Sequence, residues 1–343
     1  MTALQLTAAG MCCAVGYSTA AATAAMRAGM DHFRETEFIG PQGLPLIGAQ
    51  LYGFDQWGPA RMGWMFQRAL AECLSKDKLL KPEETCLLLI VPESNRPGAN
   101  QDWPRQIYTA CTVQHRFHAS SRIAPLGKAG LIPALVLAQE FLRKQEVRRV
   151  LVAGVDSLFT AGAISYYLEQ RRLLTVDNND GFIPGEGAGA IVLARPDERR
   201  DALLITGVGL GLESAHILQN EKSNRASGLC AAIREAVADC GRPLAETLFH
   251  MSAFGHESYY FREAESAISR SLEHKVPSYP HIMLTSGTGE VGAASGPLML
   301  AYLEAVMQRS DGPGQKGLIH LSADAGERSA AIVEWRKAGK KAI

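Results

Sequence analysis

The sequence lacks a net charge, a long hydrophobic run and a metal-binding cysteine pair, and each absence excludes a class of protein. Among its 343 residues, 35 Lys and Arg balance 35 Asp and Glu, so we expect no nucleic-acid partner and no membrane partner. No segment has the roughly 18 consecutive apolar residues of a transmembrane helix. The N-terminal apolar stretch has no basic region before it, which favours a cytoplasmic location. The seven cysteines include no CxxC pair, which predicts reduced thiols and neither a metal nor a cofactor.

Short apolar runs alternate with longer segments of helical periodicity, and only 7% of the residues are aromatic. Runs of about four to eight apolar residues without clean alternation are typical of strands covered on both faces. We therefore predict strands at residues 86–91, 150–155, 189–194, 203–210, 248–254, 282–286 and 318–322. Apolar residues at helical spacing predict helices at residues 60–75, 132–144, 226–240 and 297–308. The alternation indicates an α/β protein with a largely parallel sheet.

A charged, proline-containing segment at residues 195–200 separates two parts of similar organisation. It lies between two predicted strands. Each part contains strands, helices and a closing hairpin-like pair, which indicates an internal duplication. We therefore divide the chain into an N-terminal half, residues 1–197, and a C-terminal half, residues 198–343.

The segment at residues 180–193, DGFIPGEGAGAIVL, is a glycine-rich turn that leads directly into a buried strand. Glycines permit positive φ or close backbone approach, and a buried Glu186 must be hydrogen-bonded. The glycine spacing is not that of the phosphate-binding GxGxxG motif, and no helix follows it. On these grounds alone we predict a tight structural turn, whose residues are Asp180, Gly181, Phe182, Gly185, Glu186, Gly187 and Gly189.

The same segment resembles the DGFxxGEGAGxxVL stretch of the β-ketoacyl synthases, which are members of the thiolase superfamily. Further segments agree with the family in order and distance. VLVAGVDS at residues 150–157 is similar to the strand and turn that follow the nucleophile helix. TSGTGEVGAASG at residues 285–296, which includes Gly292 and Gly296, is similar to the family's glycine-rich loop. AAGMCCAVG at residues 8–16 resembles the opening strand and loop, so that the resemblance spans nearly the whole chain.

The resemblance implies a thiolase-like, duplicated five-layer αβαβα fold and a homodimer formed by joining central sheets. It also implies a chemistry in which a cysteine thiolate at a helix N-terminus takes up an acyl group, while two histidines assist decarboxylation and condensation. A helix N-terminus lowers the pKa of a thiol, and backbone N–H groups stabilise an oxyanion. The function therefore depends on whether the chain has these residues.

The positions that the resemblance assigns to the nucleophile and the two histidines hold other residues. The nucleophile position falls at Lys128 and Ala129, where there is no thiol. Phe254 stands at the position of the first histidine, and His256 lies two residues later. Gly289 stands at the position of the second histidine.

Two further positions depart from the family pattern. Leu284 stands where the family often has lysine, and residues 323–326 match the family's GFGG stretch only loosely. Covalent catalysis has no substitute for a missing nucleophile, and a fold can outlast its chemistry. We therefore predict that the family's reaction is lost.

Other side chains offer alternative sites. Cys111 with His115 on the same helix face is a candidate nucleophile and base, although a helical cysteine is more often a packing residue. His115 and His118 with Asp102 or Asp156 form a candidate metal site, but two histidines at this spacing are common by chance. This alternative therefore lacks a fixed third ligand.

The remaining nucleophiles have weaker support. Ser157 and Ser286 lie outside any GxSxG motif, which disfavours a serine hydrolase. Lys128 could form a Schiff base or pair with an acidic group of a partner, provided that burial or a neighbouring charge makes it reactive.

The sequence thus predicts a ketosynthase-like pseudoenzyme that acts by binding. One version is a non-catalytic partner of an active ketosynthase or acyl carrier protein, similar to chain length factors. The other is similar to the degenerate thiolase-like proteins that accompany type VI secretion effectors, and would assist effector loading. The alternative is an acyltransferase of the 3-oxoacyl synthase type with a rearranged site formed by Cys111 and His256. A vestigial pocket that holds an acyl or pantetheine group without reacting is a third possibility.

Overall fold

The computed structural model describes residues 2–339, in which strands and helices alternate. The strands are β1 (Leu4–Cys13), β2 (Arg34–Ile39), β3 (Pro45–Gly48), β4 (Thr85–Ile90), β5 (Arg122–Ala124), β6 (Arg149–Ser157), β7 (Glu186–Ala194), β8 (Ala202–Leu212), β9 (His250–Ser252), β10 (His281–Met283), β11 (Lys316–Ser322) and β12 (Glu327–Arg336). The helices are α1 (Thr19–Arg27), α2 (Gly58–Lys76), α3 (Trp103–Thr112), α4 (Leu131–Arg143), α5 (Ala161–Glu169), α6 (Ser227–Cys240), α7 (Ser258–Ser271), α8 (Thr285–Thr288) and α9 (Ser295–Met307).

Ten of these strands form one sheet, in the order β10-β9-β11-β12-β8-β1-β7-β6-β4-β5. From the central β1–β8 pair outward, each side has two antiparallel pairings followed by two parallel ones. The prediction of a largely parallel sheet is therefore wrong, because the sheet is mixed. β7 is antiparallel to both neighbours yet buried at every residue. Since both of its faces are covered, its apolar run has the pattern of a parallel strand.

Helices cover both faces of the sheet and produce five layers. α4 and α9 lie between the two sides of the sheet and share one apolar core with them. α2 and α3 cover the outer face of the N-terminal side, and α6 and α7 cover that of the C-terminal side. This order of layers confirms the predicted αβαβα fold. The boundary proposed between residues 197 and 198 falls between β7 and β8 and stays a prediction.

The central helix α9 is apolar around almost its whole circumference. Eleven of its residues are buried, because sheet or helix packs against every side. A helix that is hydrophobic all round belongs in the interior of a large domain or in a membrane. At 13 residues α9 is too short for a bilayer, and no helix within residues 2–339 combines the length and apolar character that a membrane span needs.

Candidate functional site

Charged side chains gather where the parallel strands of both halves end. Glu93 follows β4, the turn Gly127–Gly130 follows β5, and Asp156 lies near the end of β6. From the C-terminal half, Glu257 follows β9 and Asp324 follows β11. The carboxyl ends of parallel strands are a common place for binding sites in α/β proteins. This place is therefore the candidate functional site.

Lys128 lies in the turn that immediately precedes α4. Its Nζ lies 2.5 Å from Oε2 of Glu290, and both side chains are largely buried. The other carboxylate oxygen of Glu290 accepts a hydrogen bond from the N–H of Gly292 at 2.9 Å. The backbone N–H of Glu290 donates to the carbonyl of Ile183 at 2.8 Å. Hydrogen bonds therefore fix Glu290, the partner of Lys128, at its carboxylate and at its backbone.

Arg96 connects two carboxylates next to this pair. Its guanidinium lies 2.6 Å from Glu93 and 3.1 Å from Asp156. Asp156 also accepts a hydrogen bond from the N–H of Ala293 at 2.8 Å. Burial raises the pKa of Asp156, and the positive charge of Arg96 opposes that shift. The arginine therefore compensates for a carboxylate that is fully removed from water.

Arg172 binds two further carboxylates in the same way. It donates to both oxygens of Glu257, at 2.7 and 2.8 Å, and to both oxygens of Asp324, at 2.5 and 3.1 Å. The hydroxyl of Tyr260 donates to Asp324 at 2.6 Å. Burial alone would raise the pKa of Asp324, but the charge and hydrogen bonds of Arg172 outweigh it and lower the pKa. Such forked contacts are the strongest hydrogen bonds that arginine makes.

These groups form three neighbouring sets of ion pairs around one small cavity, and together we call them the ion-pair network. Its members are Arg96 with Glu93 and Asp156, Lys128 with Glu290, and Arg172 with Glu257 and Asp324. The cavity that remains among them measures about 30 Å³. Small-molecule sites usually measure about 300–1,000 Å³, which is at least about ten times as much. The network therefore fills the space at the strand ends.

Solved structures with the same arrangement of elements show which fold this is. The chain is similar to one chain of a complex between a type II polyketide synthase acyl-carrier protein and its ketosynthase, with a TM-score of 0.80 and 12% identity over 96% of this chain and 98% of that chain. A β-ketoacyl synthase from Burkholderia phymatum gives a TM-score of 0.77 and 17% identity, over 98% and 100% of the two chains. The ishigamide ketosynthase/chain length factor gives 0.76 and 15%, over 98% and 100%. The fold is therefore ketosynthase-like.

Sequence comparison also matches β-ketoacyl synthases, but over a shorter part of the chain. The family model described as the N-terminal domain of β-ketoacyl synthase matches residues 129–199. A β-ketoacyl-[acyl-carrier-protein] synthase III of Caldanaerobacter subterraneus is 29% identical over 126 residues, which are 35% of this chain and 32% of that protein. The enzyme of the same name from Aquifex aeolicus is 27% identical over 146 residues, which are 41% and 40% of the two chains. The chain thus spans only about a third to two fifths of the length of the curated relatives it matches.

Apart from Lys128, the positions that the resemblance assigns to catalysis hold side chains without an ionisable group. Phe254 is buried and stacks on Tyr260, with 5.8 Å between the ring centroids. Gly289 ends α8 with a φ of +63°, which favours glycine. Leu284 is buried, and Ala129 follows the lysine in the turn before α4. None of these side chains can serve as an acid or a base.

Glu186, at the centre of the glycine-rich segment, is fully buried and hydrogen-bonded. Its carboxylate accepts from Arg61 at 2.5 and 2.7 Å, from the N–H of Leu51 at 2.7 Å and from the hydroxyl of Ser157 at 2.9 Å. The guanidinium of Arg61 also donates to backbone carbonyls of the segment before α2. Glu186 therefore attaches that segment to β7.

Other residues of the segment hold neighbouring elements together. Asp180 accepts from the N–H and the hydroxyl of Ser258, at 2.6 and 2.8 Å, at the start of α7. The aromatic ring of Phe182 packs against Tyr167, with 5.0 Å between centroids. At Gly189 a Cβ atom would lie 2.5 Å from the backbone nitrogen of Leu298, so that only glycine lets α9 approach β7 this closely.

The structure does not bring together the residues of the proposed rearranged site. Cys111 is fully buried on α3, in the apolar layer that covers the N-terminal side of the sheet. Burial raises the pKa of its thiol, which keeps it protonated and unreactive. His256 is exposed just before α7, in the layer that covers the opposite side. The two side chains therefore lie on different outer faces of the molecule.

The predicted alternative metal and serine sites are not assembled either. Asp156 binds Arg96, Asp102 is exposed at the start of α3, and Nδ1 of His118 accepts from a nearby backbone N–H. Within residues 2–339, the group of ligands close enough to share an ion is a different one. Ser157 donates its hydroxyl to the buried carboxylate of the glycine-rich segment, and Ser286 is exposed.

That different group consists of His250, His281 and His320, which the sequence analysis missed. Burial lowers the pKa of His250 to about 3 and that of His281 to about 4. The sequence does contain a sign of this cluster, because His250 and His320 interrupt the apolar runs that form β9 and β11. The sequence also contains a sign of the ion-pair network, because charged residues such as Glu93 and Asp324 come shortly after apolar strands.

Proposed function

We propose that this ketosynthase-like chain does not catalyse condensation and acts as the binding partner of another protein. The observation that supports this most strongly is the ion pair between Lys128 and Glu290 at the start of α4. The resemblance assigns this position to the nucleophilic cysteine. A lysine ammonium held by a carboxylate is not a nucleophile. The group present here therefore stabilises the fold and does not take up an acyl chain.

The space around the lysine supports the same proposal. A condensing site has to admit an acyl group on a pantetheine arm, and ligand sites of that kind measure several hundred Å³. The cavity within the ion-pair network measures about 30 Å³. Its walls include charged side chains that are already paired, and opening it would separate buried ion pairs at a cost of several kcal/mol. The network thus excludes an acyl substrate by volume and by charge.

Similar structures indicate the kind of partner. Besides the ishigamide protein, they include a ketosynthase in complex with its chain length factor from Xenorhabdus doucetiae and a ketosynthase–chain length factor protein. We therefore propose an active ketosynthase as the partner, with this chain in the position of a chain length factor. A type VI secretion effector is the other partner that the sequence resemblance implies, and the test below distinguishes the two.

The catalytic part of the proposal is tested by intact-mass spectrometry. The purified chain is incubated with acetyl- and malonyl-CoA and with acyl thioesters of an acyl carrier protein, and we expect no covalent adduct. Lys128→Cys is the matched variant, because it places a thiol at the start of α4 and leaves the rest of the network in place. We expect it to remain free of acyl groups as well. A stoichiometric adduct on the wild-type chain that Cys111→Ala abolishes would overturn the proposal.

The partner is tested by co-purification from the native host followed by mass spectrometry. We expect a ketosynthase in a fixed ratio to this chain, and the purified pair should form a stable complex by size-exclusion chromatography. Recovery of a secretion effector in place of a ketosynthase would refute the chain length factor role while leaving the non-catalytic role intact. A homodimer that turns over malonyl thioesters without any partner would refute both.

A further inference from the structure

Three histidines face the same side of the sheet on three adjacent strands. His250 on β9 is directly opposite His281 on β10, and Ser252 on β9 is directly opposite His320 on β11. Residues two apart on a strand share a face, so the three imidazoles meet on the face that α7 covers. They form the histidine cluster, which consists of His250, His281 and His320.

The imidazoles of the cluster are close enough to share one ion. One ring nitrogen from each lies within 4.8 Å of the others. Nδ1 of His250 is 3.2 Å from Nε2 of His320, and the rings of His250 and His281 stack with 4.1 Å between centroids. In a tetrahedral zinc site with Zn–N distances of about 2.0–2.1 Å, ligand nitrogens are about 3.3 Å apart. Because the three rings are stacked, with interplanar angles of 15°, 18° and 27°, their side chains have to rotate before the nitrogens point at one ion.

One nitrogen of the cluster lacks a partner. His320 is fully buried, and among residues 2–339 its Nδ1 has no hydrogen-bond partner. Leaving a buried polar atom unsatisfied costs about 1–3 kcal/mol, so this nitrogen needs a partner such as a water molecule or an ion. It is the nitrogen of His320 that does not face His250.

We propose that His250, His281 and His320 bind one divalent first-row transition metal, with zinc as the expected ion and one coordination position open. Three imidazoles with an open fourth position are a donor set that suits zinc and its neighbours. The hydroxyl of Ser252 lies 2.7 Å from Nε2 of His281 and can orient that ring from the second shell.

A cavity supplies the open position. It measures about 740 Å³, and His250 and His281 form part of its wall, together with Glu265, His274 and Lys275. The fourth ligand is therefore water or a small molecule that enters from this side. The same wall carries one carboxylate, that of Glu265, and one ammonium group, that of Lys275.

The site is separate from the ion-pair network. Phe254 lies between them, with its ring 5.6 Å from that of His281 and 6.0 Å from that of His320, and its other neighbours include Tyr260. The metal proposal therefore does not depend on the proposed binding function, and it departs from the sequence-based prediction of no metal.

The test uses the full chain without a polyhistidine tag, stripped with a chelator and dialysed. Zn²⁺ is titrated by calorimetry, and Co²⁺ is titrated by its visible absorption, which is intense only for low-coordinate sites. We expect one ion per chain, competition between Co²⁺ and Zn²⁺, and a higher unfolding temperature with metal bound. Absence of saturable binding of either metal would overturn the proposal.

Variants assign the ligands. His281→Ala is the first choice, because this histidine is half-buried and its loss disturbs the core least. Second-shell losses alone weaken metal sites about 10- to 100-fold, so we expect Ser252→Ala to weaken binding about tenfold and His281→Ala to weaken it about a hundredfold or more. His256→Ala, which removes an exposed histidine outside the cluster, should bind as the wild type does. Equal affinity in His281→Ala and wild type would also overturn the proposal.

Discussion

Replacing Lys128 by methionine tests whether the ion-pair network is a structural element, and the chain provides a matched control in Lys144. Both lysines lie 2.5 Å from a glutamate, Lys128 from Glu290 and Lys144 from Glu140. The side chains of the first pair are 11% and 9% exposed, whereas those of the second are 47% and 46% exposed. The same substitution thus removes the same charge from a buried pair and from an exposed one.

The expected loss of unfolding free energy for Lys128→Met is about 3–4 kcal/mol at pH 7. Removing one partner of a buried ion pair costs about 3–5 kcal/mol, because the other charge is left without compensation. The remaining glutamate can take up a proton, and this limits the cost. For a carboxyl with an ordinary pKa of about 4.3, protonation at pH 7 costs about 3.7 kcal/mol. At pH 5 the same limit is about 1 kcal/mol, so the destabilisation should shrink as the pH falls.

Urea unfolding at pH 7 and pH 5 measures these values for Lys128→Met, Glu290→Gln and the double variant. The double variant should recover most of the lost stability, because removing both partners of a buried pair is nearly neutral. Lys144→Met should be indistinguishable from wild type at both pH values, since exposed pairs contribute little. Equal losses for the two lysine variants, or a loss at Lys128 that is the same at both pH values, would refute the reasoning.

Two further outcomes are expected. Gly189→Ala should lower the unfolding free energy by about 1–3 kcal/mol, because the added methyl group overpacks against α9. The control is Gly339→Ala, where a Cβ meets no atom within 4 Å. Thermal unfolding compares the two variants, and equal midpoints would contradict the prediction. Asp324→Asn removes a carboxylate whose pKa burial alone would raise but Arg172 holds low. Because that pKa is lower folded than unfolded, its contribution is present above about pH 4 and lost below it. In urea unfolding, the difference in unfolding free energy between the wild type and Asp324→Asn should therefore decrease from about pH 5 to about pH 3. A difference that stays constant over this range would contradict the prediction.

The sequence located most elements of the sheet but did not determine how they pair. Burial on both faces leaves a continuous apolar run, and this signal found β4, β6, β7 and β8. The same run arises in a parallel or an antiparallel strand, provided that helices cover both faces. Strand direction therefore could not be deduced from periodicity. The five-layer arrangement came from the resemblance, because its layers depend on contacts between distant segments.

The composition of the candidate site could not be derived from local sequence. Lys128 and Glu290 are 162 residues apart, and Arg172 and Asp324 are 152 residues apart. A charge that ends in a buried pair looks the same in a sequence as a charge that faces solvent. The resemblance identified the position of Lys128 correctly as the start of a helix, but its partner became visible only when the fold placed the glycine-rich loop beside it.

Restoring a cysteine at Lys128 would not by itself restore a reactive thiolate. The new thiol would face Glu290 after that carboxylate had lost its lysine. The shorter cysteine side chain would place its sulfur about 6 Å from the carboxylate, and two negative charges at that distance repel by about 3 kcal/mol at an effective dielectric constant of 20. This repulsion raises the pKa of a thiol by about two units. A helix N-terminus stabilises an anion by at most about 2 kcal/mol. The repulsion therefore exceeds the helix effect, and the thiol stays protonated. Catalysis would require changes in the nucleophile, its charged neighbours and the cavity at the same time.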